Sequence, residues 1–338
     1  MLKRNTFLNI KFENMLDTLG EMSRTDLYSY LKEWEQLTPL PFYSIGEPEL
    51  TKVVNKGGEE FFVLKVLVSN NSDYDGIIQM NVLQNGWWYQ PMEDPRARKK
   101  VEIAAHTSKE FVSVWEEQIR DVEINTMVSG NLPYMIRQSI GNVKQERNKI
   151  VKDTIYTLPE SSLEMPGEVI VDNEDSTLFV LSTPAVVGLL PKWLDKVEDT
   201  SFKYSGISWW RAPLQWTATT NAKYYGKYIR SAYVIKSGDG SQTATWKIPV
   251  PEAGQYELYY HVFKDDELRW NDRLQGEYHF RVAYDSEMED AYINLRKANE
   301  GWEQLGTYYF SADTVRVVLT DECKLRSVTA DAVKIVKR

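Results

Sequence analysis

Short segments in which apolar and polar residues alternate constrain this sequence more than any other feature. Tyr256, Leu258, Tyr260 and Val262 are each separated by one more polar position. The same period of two recurs over 62–68, 278–284 and 315–319. Because successive side chains of a β-strand point to opposite faces, this period predicts strands with one buried face. Few helix-like patterns occur elsewhere, so the chain is predicted to be mainly β.

The segment between residues 46 and 190 predicts an antiparallel β-sandwich of the immunoglobulin type. Turn-forming runs such as Asn70–Gly76 separate its apolar segments at intervals of roughly eight to twelve residues, which is typical of such sandwiches. Its strands are predicted at 62–68, 77–83, 101–105, 110–116, 122–128, 168–172 and 178–182. Residues 131–160 are less regular and are interpreted as an ordered insertion.

Ahead of this sandwich, residues 1–45 are predicted to form a helical N-terminal segment. Leucines and aromatic residues recur at three- and four-residue spacing over 15–37, which predicts an amphipathic helix. The run Thr38-Pro39-Leu40-Pro41 ends this helix, because proline lacks a backbone N–H and restricts the residue before it.

The chain length of 338 residues suits two domains and a short helical piece. Residues 191–338 again show the period of two, so a second sandwich or jelly roll is predicted there. The connection is predicted at 184–199, where apolar residues are interrupted by prolines, which favours a docked linker over a flexible one. The predicted division is therefore 1–45, 46–190 and 191–338.

Composition narrows the classes of partner. The formal net charge of -9 argues against nucleic acid, and no stretch approaches the roughly 18 consecutive apolar residues that cross a bilayer. We therefore expect neither nucleic-acid binding nor membrane insertion. The single Cys323 excludes an internal disulfide and a thiolate metal cage. Charged residues interrupt 1–17 before any apolar run develops, so no secretory signal is visible, and the chain is either intracellular or the tail of a longer exported protein.

Residues able to perform catalysis are few and scattered. His106, His261 and His279 are too far apart in sequence to form a local metal site, and Cys323 has no neighbouring histidine. Motifs for a nucleophile elbow, a phosphate loop or a zinc protease do not occur. The acidic runs at 172–175 and 285–290 are interpreted as solvated turns rather than calcium loops. The residues alone therefore predict no catalytic residue, no metal and no cofactor.

Aromatic residues are unusually numerous, with 11 Trp and 20 Tyr. Six of them lie between residues 209 and 228, a window that supplies our candidate ligand-binding residues: Trp209, Trp210, Arg211, Tyr224, Tyr225 and Tyr228. Adjacent residues of an extended segment face opposite ways, so at most one of Trp209 and Trp210 can lie in the core. Exposed rings beside Arg and Tyr suit the stacking of sugar rings, and they suit a contact between domains equally well.

Several C-terminal segments resemble the golvesin-like domain, which also occurs at the C-terminus of bacterial xanthan lyases. They are Tyr224-Tyr225-Gly226-Lys227-Tyr228, Thr243–Trp246, Gly254–Tyr259, Trp302–Phe310 and Ala330–Ile335. Their order and spacing cover about 200–338. The resemblance implies a β-sandwich similar to carbohydrate-binding modules, attached to extracellular bacterial hydrolases, lyases and peptidases, and hence an extracellular or cell-surface location. It does not imply the lyase reaction, because nothing here resembles the catalytic region of those enzymes.

The resemblance also suggests roles for particular residues. Trp246 and Trp302 occupy the family's patterned tryptophan positions, where a core location is expected. Asp331 is expected to accept hydrogen bonds from a neighbouring loop, and the Tyr224-Tyr225-Gly226 segment is the better candidate for a ligand surface. The charged stretch Lys264–Arg273 departs from the family pattern.

Three functional hypotheses follow for the whole chain. The first is a non-catalytic accessory region of an extracellular bacterial polysaccharide- or surface-acting protein, with a polysaccharide as candidate partner. The alternative is a polysaccharide lyase or hydrolase, which requires an Arg/Tyr/His cleft between the two sandwiches. The third is a purely structural role, in which both sandwiches pack on a catalytic domain of the same or a neighbouring protein.

Overall fold

The computed structural model describes residues 12–24, 26, 40–84, 94–141, 143–147, 151–160, 163, 167–182, 203–204, 212–264 and 276–338. These residues form the helix α1 (Phe12–Ser23), a short 3-10 turn at Pro95–Ala97, and strands that account for more than half of the described residues. The strands are β1 (Tyr43–Ile45), β2 (Glu49–Val54), β3 (Glu60–Asn70), β4 (Gly76–Gln84), β5 (Arg98–Ile103), β6 (Thr107–Trp115), β7 (Ile119–Asn125), β8 (Met135–Ser139), β9 (Val143–Arg147), β10 (Thr154–Pro159), β11 (Glu168–Val171), β12 (Phe179–Leu181), β13 (Thr217–Thr220), β14 (Ser231–Lys236), β15 (Thr243–Pro249), β16 (Gly254–Val262), β17 (Glu277–Tyr284), β18 (Glu287–Asn294), β19 (Gly301–Phe310), β20 (Thr314–Thr320), β21 (Ser327–Ala330) and β22 (Val333–Lys337). The prediction of a mainly β chain is confirmed.

The helix is shorter than the predicted span of 15–37. It begins at Phe12 and ends at Ser23, and the next residue, Arg24, has a φ of 55°. A residue in this left-handed region commonly ends a helix, because its carbonyl turns away from the helix axis. One continuous helix over 15–37 is therefore wrong, and residues 27–39 lie outside the described part of the chain.

The N-terminal sandwich consists of two sheets that share a core. One sheet has the order β10-β6-β3-β2-β9 with β1 paired to β3, and the other has the order β5-β4-β7-β8. Leu64 and Val66 of the first sheet pack with Ile78 and Met80 of the second, together with Trp115. The strands predicted between residues 62 and 128 are confirmed. All pairs in these sheets are antiparallel except β2 with β9, which is parallel.

The stretch 131–160 is not an insertion. It contains β8, β9 and β10, which pair with β7, β2 and β6. Most side chains of β9 and β10 are exposed or half-buried, so these strands carry no alternation between apolar and polar residues. A period of two marks a strand only where one face is buried, which explains why the sequence pattern missed them.

The C-terminal sandwich is built from three sheets. Their strand orders are β11-β22-β16-β19, β12-β15-β20-β17-β18 and β13-β14-β21. The core contains Trp246, Tyr256, Leu258, Tyr260 and Phe280, all of which are fully buried. The period of two places Tyr256, Leu258, Tyr260 and Phe280 on the inner face, so that prediction is confirmed.

Two strands belong to a different sandwich from the one expected. β11 pairs with β22, and β12 pairs with β15. The position of 168–172 and 178–182 in the chain predicts that they belong to the first sandwich, but their backbone hydrogen bonds join them to the second. The sequence of a strand shows which side chains share a face, but it does not show which strand pairs with it. Position in the chain was therefore a poor guide to the sandwich that these strands join. The predicted connection at 184–199 lies outside the described residues.

The two sandwiches meet at a backbone junction formed by residues 131–132 and 228–230. The Leu132 N–H donates to the Tyr228 carbonyl at 3.1 Å, and the Arg230 N–H donates to the Leu132 carbonyl at 2.7 Å. The buried Asn131 amide donates to the carbonyls of Tyr43 (2.8 Å) and Tyr228 (3.3 Å). This junction brings N-terminal residues to the surface of the C-terminal sandwich.

Candidate ligand-binding groove

A groove of about 390 Å³ lies beside the junction. It is lined by Phe42, Glu168, Ile170, Asp172, Glu174, Asp175, Tyr225, Lys227, Tyr228 and Ile229. One wall is β11 with the turn that follows it, the other is the Tyr225–Ile229 loop, and Phe42 is contributed by the N-terminal sandwich. The Phe42 and Tyr228 rings are in contact, with centroids 5.2 Å apart.

The first wall follows from the alternation of β11. Val171 is buried in the core and Val169 packs against it, so Glu168 and Ile170 are on the opposite face, where they line the groove. The Glu168 carboxylate accepts a hydrogen bond from the Lys334 ammonium at 2.8 Å. Lys334 lies on β22, the strand next to β11, so this ion pair fixes the wall to the sheet.

The second wall depends on a glycine and a buried carboxylate. Gly226 has a φ of 150°, and a Cβ placed there would lie 1.9 Å from the Ile229 carbonyl oxygen, so the loop requires glycine at this position. The Tyr225 N–H donates to both oxygens of the Asp331 carboxylate at 3.2 Å. The loop conformation is therefore fixed at its start by Asp331 and inside by Gly226.

Asp331 is the centre of a buried polar network. Its side chain is fully buried, and one oxygen lies 2.8 Å from His261 Nδ1. The Trp246 indole N–H donates to the backbone carbonyl of Asp331 at 3.2 Å. Burial raises the pKa of the Asp331 carboxyl above its usual value, although His261, the Tyr225 N–H and Arg230 act in the opposite direction. These contacts join the loop to the core of the sandwich.

Trp302 and Lys334 complete the support of the groove. The Lys334 ammonium lies 4.9 Å from the centre of the Trp302 ring and 5.3 Å from that of Tyr259. The Trp302 ring centre is in turn 5.1 Å from those of both Tyr225 and His261. The short segment Asp331–Lys334 thus holds both walls, since Asp331 binds the loop and Lys334 binds Glu168.

The carboxylates of the first wall differ in their electrostatic surroundings. Burial and the nearby Asp331 raise the pKa of Asp172 well above its usual value. Burial alone would also raise the pKa of Glu174, but hydrogen bonds from Lys203, Ser231 and Tyr204 outweigh it and lower that pKa. Lys203 lies 2.5 Å and the Tyr204 hydroxyl 3.0 Å from the Glu174 carboxylate.

The groove combines two kinds of chemical surface. Its rings offer flat apolar faces, and its carboxylates offer strong hydrogen-bond acceptors, the combination with which proteins hold small polar ligands. Among the residues that the structure describes, no group of three or more His, Cys, Asp or Glu side chains is placed to hold a metal ion. Cys323 is half-buried, and burial raises the pKa of its thiol, in line with its predicted packing role.

The structure places the predicted ligand residues in three ways. Tyr225 and Tyr228 both line the groove. Tyr224 differs from the prediction, because it is only 5% exposed and packs against Phe263, with ring centres 4.7 Å apart. The backbone N–H of its neighbour Tyr225 donates to Asp331, and the Tyr225 side chain lines the groove. Trp209, Trp210 and Arg211 lie outside the described residues, as does most of the stretch Lys264–Arg273.

The two patterned tryptophans also differ. Trp246 is fully buried, as expected, and Asp331 accepts the hydrogen bond from a neighbouring loop that the resemblance implies. Trp302 is not a core residue: it is half-buried and lies directly opposite His261 on the outer face of its sheet. The register between β16 and β19 shifts between Leu258 and Tyr259, which is the irregularity that strand alternation does not anticipate.

Sequence reasoning missed the other groove residues: Phe42, Glu168, Ile170, Asp172, Glu174, Asp175, Lys227 and Ile229. The alternation within Glu168–Asp172 already indicated that Glu168, Ile170 and Asp172 share one face. It gave no indication that this face is opposite the Tyr225–Ile229 loop. Phe42 has no local pattern that could have identified it, because its position depends on the junction between the sandwiches.

The described residues thus define a β-sandwich protein with a polar, ring-lined groove. Residues 209–337 match the family model of the Golvesin C-terminal domain, which confirms the resemblance found in the sequence. No curated protein matches the chain. In the described part of the chain, no helix has the length and apolarity needed to span a bilayer.

Solved structures of larger proteins also resemble this chain. Xanthan lyase from Paenibacillus is 18% identical with a TM-score of 0.35, and the match covers 89% of this chain and 27% of the lyase. Bacteroides uniformis beta-glucuronidase 2 is 10% identical with a TM-score of 0.22, and the match covers 86% of this chain and 30% of that protein. The chain therefore spans less than a third of either protein.

Proposed function

We propose that this chain is a non-catalytic accessory region of an extracellular bacterial polysaccharide- or surface-acting protein, and that its groove binds a glycan segment. The observation that carries the proposal is the groove itself, in which Tyr225 and Tyr228 lie opposite a row of carboxylates. The match to the Golvesin C-terminal domain over 209–337 supports a carbohydrate-related extracellular role.

Both parts of a sugar have a partner in the groove. The C–H face of a sugar ring packs on a planar aromatic ring, and sugar hydroxyls donate hydrogen bonds to carboxylates. The volume of about 390 Å³ lies within the range of roughly 300–1,000 Å³ typical of small-molecule sites, so it accommodates a short glycan segment. A glycan chain can continue beyond the groove because the groove is open to solvent.

The supporting network favours binding over turnover. His261 packs against the groove residue Tyr225 and against Trp302, and its Nδ1 is held by Asp331. Glu168 and Glu174 are engaged by Lys334 and Lys203. These groups are positioned to hold the walls of the groove, which is the role that a binding module requires.

Affinity electrophoresis of the full chain against a panel of immobilised polysaccharides tests the proposal. Tyr228→Ala removes a ring that lines the groove. We expect the free energy of binding to weaken by about 1 kcal/mol, which raises Kd about fivefold. Tyr292→Ala is the matched control, because Tyr292 is 58% exposed and stacks on His279 of β17, in a different sheet. Thermal melting of each variant separates lost binding from lost folding.

Two results would count against this function. If no polysaccharide retards the chain, or if Tyr228→Ala and Tyr292→Ala weaken retention equally, the groove is not the glycan site. If the chain generates the ultraviolet-absorbing unsaturated uronic ends of a lyase and His261→Ala abolishes them, the non-catalytic assignment is wrong and the lyase hypothesis replaces it.

A further inference from the structure

The charges around the groove restrict the glycans that it can hold. Four lining residues carry carboxyl groups, Glu168, Asp172, Glu174 and Asp175, while Lys227 is the lining residue that carries an ammonium. A charged ligand that enters the groove therefore encounters more carboxyl groups than ammonium groups.

The cations near the acidic wall already bind carboxylates of the protein. The Lys334 ammonium is 2.8 Å from Glu168, and its side chain is nearly buried. The Lys203 ammonium is 2.5 Å from Glu174. A ligand carboxylate would have to displace one of these ion pairs and leave a protein carboxylate without its cation, which is costly where groups are partly buried.

At residues 172–175, the end of the acidic wall, backbone N–H groups bind the carboxylates in place of lysine ammonium groups. The Asp172 N–H donates to the Asp175 carboxylate at 2.8 Å, and the Asn173 N–H donates to the Asp172 carboxylate at 2.7 Å. Asp175 is exposed at the mouth of the groove. At this end, a ligand hydroxyl finds a charged acceptor, whereas a ligand carboxylate meets a like charge.

The ammonium of the opposite wall is committed to an aromatic ring. The Lys227 ammonium lies 5.6 Å from the centre of the Tyr228 ring. The Lys227 side chain is exposed, so an ion pair between its ammonium and a ligand carboxylate would contribute little to binding. It therefore adds little attraction for a ligand carboxylate at the end of the wall where Asp175 lies.

We propose that the groove selects uncharged glycan segments and rejects segments that carry uronate groups. This inference rests on the proposed glycan-binding function. It excludes an acidic polysaccharide as the ligand. The groove recognises sugar hydroxyls through its carboxylates and the C–H faces of sugar rings through Tyr225 and Tyr228.

The test compares uncharged and uronate-bearing polymers on the full chain. The panel contains hydroxyethylcellulose, galactomannan and dextran as uncharged probes, and polygalacturonate, polyglucuronate and alginate as uronate probes. At low salt we expect the best uncharged probe to bind at least tenfold more tightly than any uronate probe, which corresponds to about 1.4 kcal/mol. Raising the salt concentration should weaken the repulsion and narrow this difference, with little change for the uncharged probes.

A charge-removing variant locates the effect. Asp175→Asn keeps the size and an acceptor oxygen, and it should reduce the preference for uncharged probes severalfold. Asp313→Asn is the control, because Asp313 is exposed in the turn between β19 and β20, at the opposite end of the sandwich from the turn that follows β11. It should leave the preference unchanged.

The outcomes distinguish this inference from the function on which it rests. Equal or tighter binding of a uronate probe overturns the charge selection while leaving glycan binding intact. An equal effect of Asp175→Asn and Asp313→Asn also overturns it, because the repulsion would then not arise in the groove. Absence of binding to every probe overturns the proposed function itself, and the inference with it.

Discussion

Replacing Asp331 by alanine is the sharpest test of the network below the groove. The change removes a fully buried carboxylate that accepts hydrogen bonds from the Tyr225 N–H and is paired with His261. Each hydrogen bond to a charged group contributes about 1.5–3 kcal/mol, and loss of one partner from a buried pair costs about 3–5 kcal/mol. These terms overlap, so we expect the free energy of unfolding to fall by about 3–5 kcal/mol in total.

The chain offers a matched control for this change. Asp290 also lies 2.8 Å from a histidine nitrogen, that of His279, but its side chain is 58% exposed. Exposed ion pairs stabilise proteins by about 0–1 kcal/mol, so Asp290→Ala should have a small effect. The two substitutions remove the same group at the same distance from a histidine, and the two sites differ in burial and in the hydrogen bonds that Asp331 accepts from the Tyr225 N–H.

Urea unfolding followed by circular dichroism measures both free energies, and thermal melting should show a Tm lowered by about 2–4 °C per kcal/mol. Asp331→Asn retains an acceptor for the Tyr225 N–H and should lie between wild type and Asp331→Ala. The reasoning is refuted if Asp331→Ala and Asp290→Ala destabilise the protein within about 1 kcal/mol of each other.

Three further predictions concern the core, the glycine of the loop and pH. Trp246→Ala should lower the free energy of unfolding by about 3–5 kcal/mol in urea titrations, because this tryptophan is fully buried; a loss below about 1 kcal/mol would contradict its core role. Gly226→Ala should lower the Tm and weaken glycan retention because its Cβ would clash with the Ile229 carbonyl, whereas Gly141→Ala, where space is open, should do neither. The raised pKa of Asp172 means that its contribution to stability is full below about pH 4 and is lost as pH rises through the raised value. The unfolding free energy of Asp172→Asn should therefore increase relative to wild type as pH rises from 4 to 8, and a constant difference across that range would contradict the raised pKa.

Local alternation was sufficient to predict much of the C-terminal core. Tyr256, Leu258 and Tyr260 are fully buried because each lies on the same face of one strand, and a period of two encodes that face directly. The assignment of Trp302 to the core failed for a related reason. A register shift in β19 changes which residues face outward, and the sequence of β19 alone does not reveal it.

The groove itself was only half predictable. Tyr225 and Tyr228 were found because their segment is crowded with aromatic residues, yet Tyr224 belongs to the same segment and is buried. The Tyr225 N–H is bound by Asp331, which is 106 residues away, and no local pattern reveals that contact. Phe42 likewise reaches the groove through contacts between the sandwiches, and no local pattern carries that information.

The place of β11 at the end of its sheet has a consequence for aggregation. β11 is the outermost strand beside β22, whose Val333 and Ile335 are fully buried. Without β11, the backbone groups of this apolar strand would form an open edge able to pair with other chains. β11 covers that edge and ends in the acidic turn 172–175, and charged groups discourage further strands from adding. The carboxylates that line the groove thus also protect the sheet from growing into an intermolecular one.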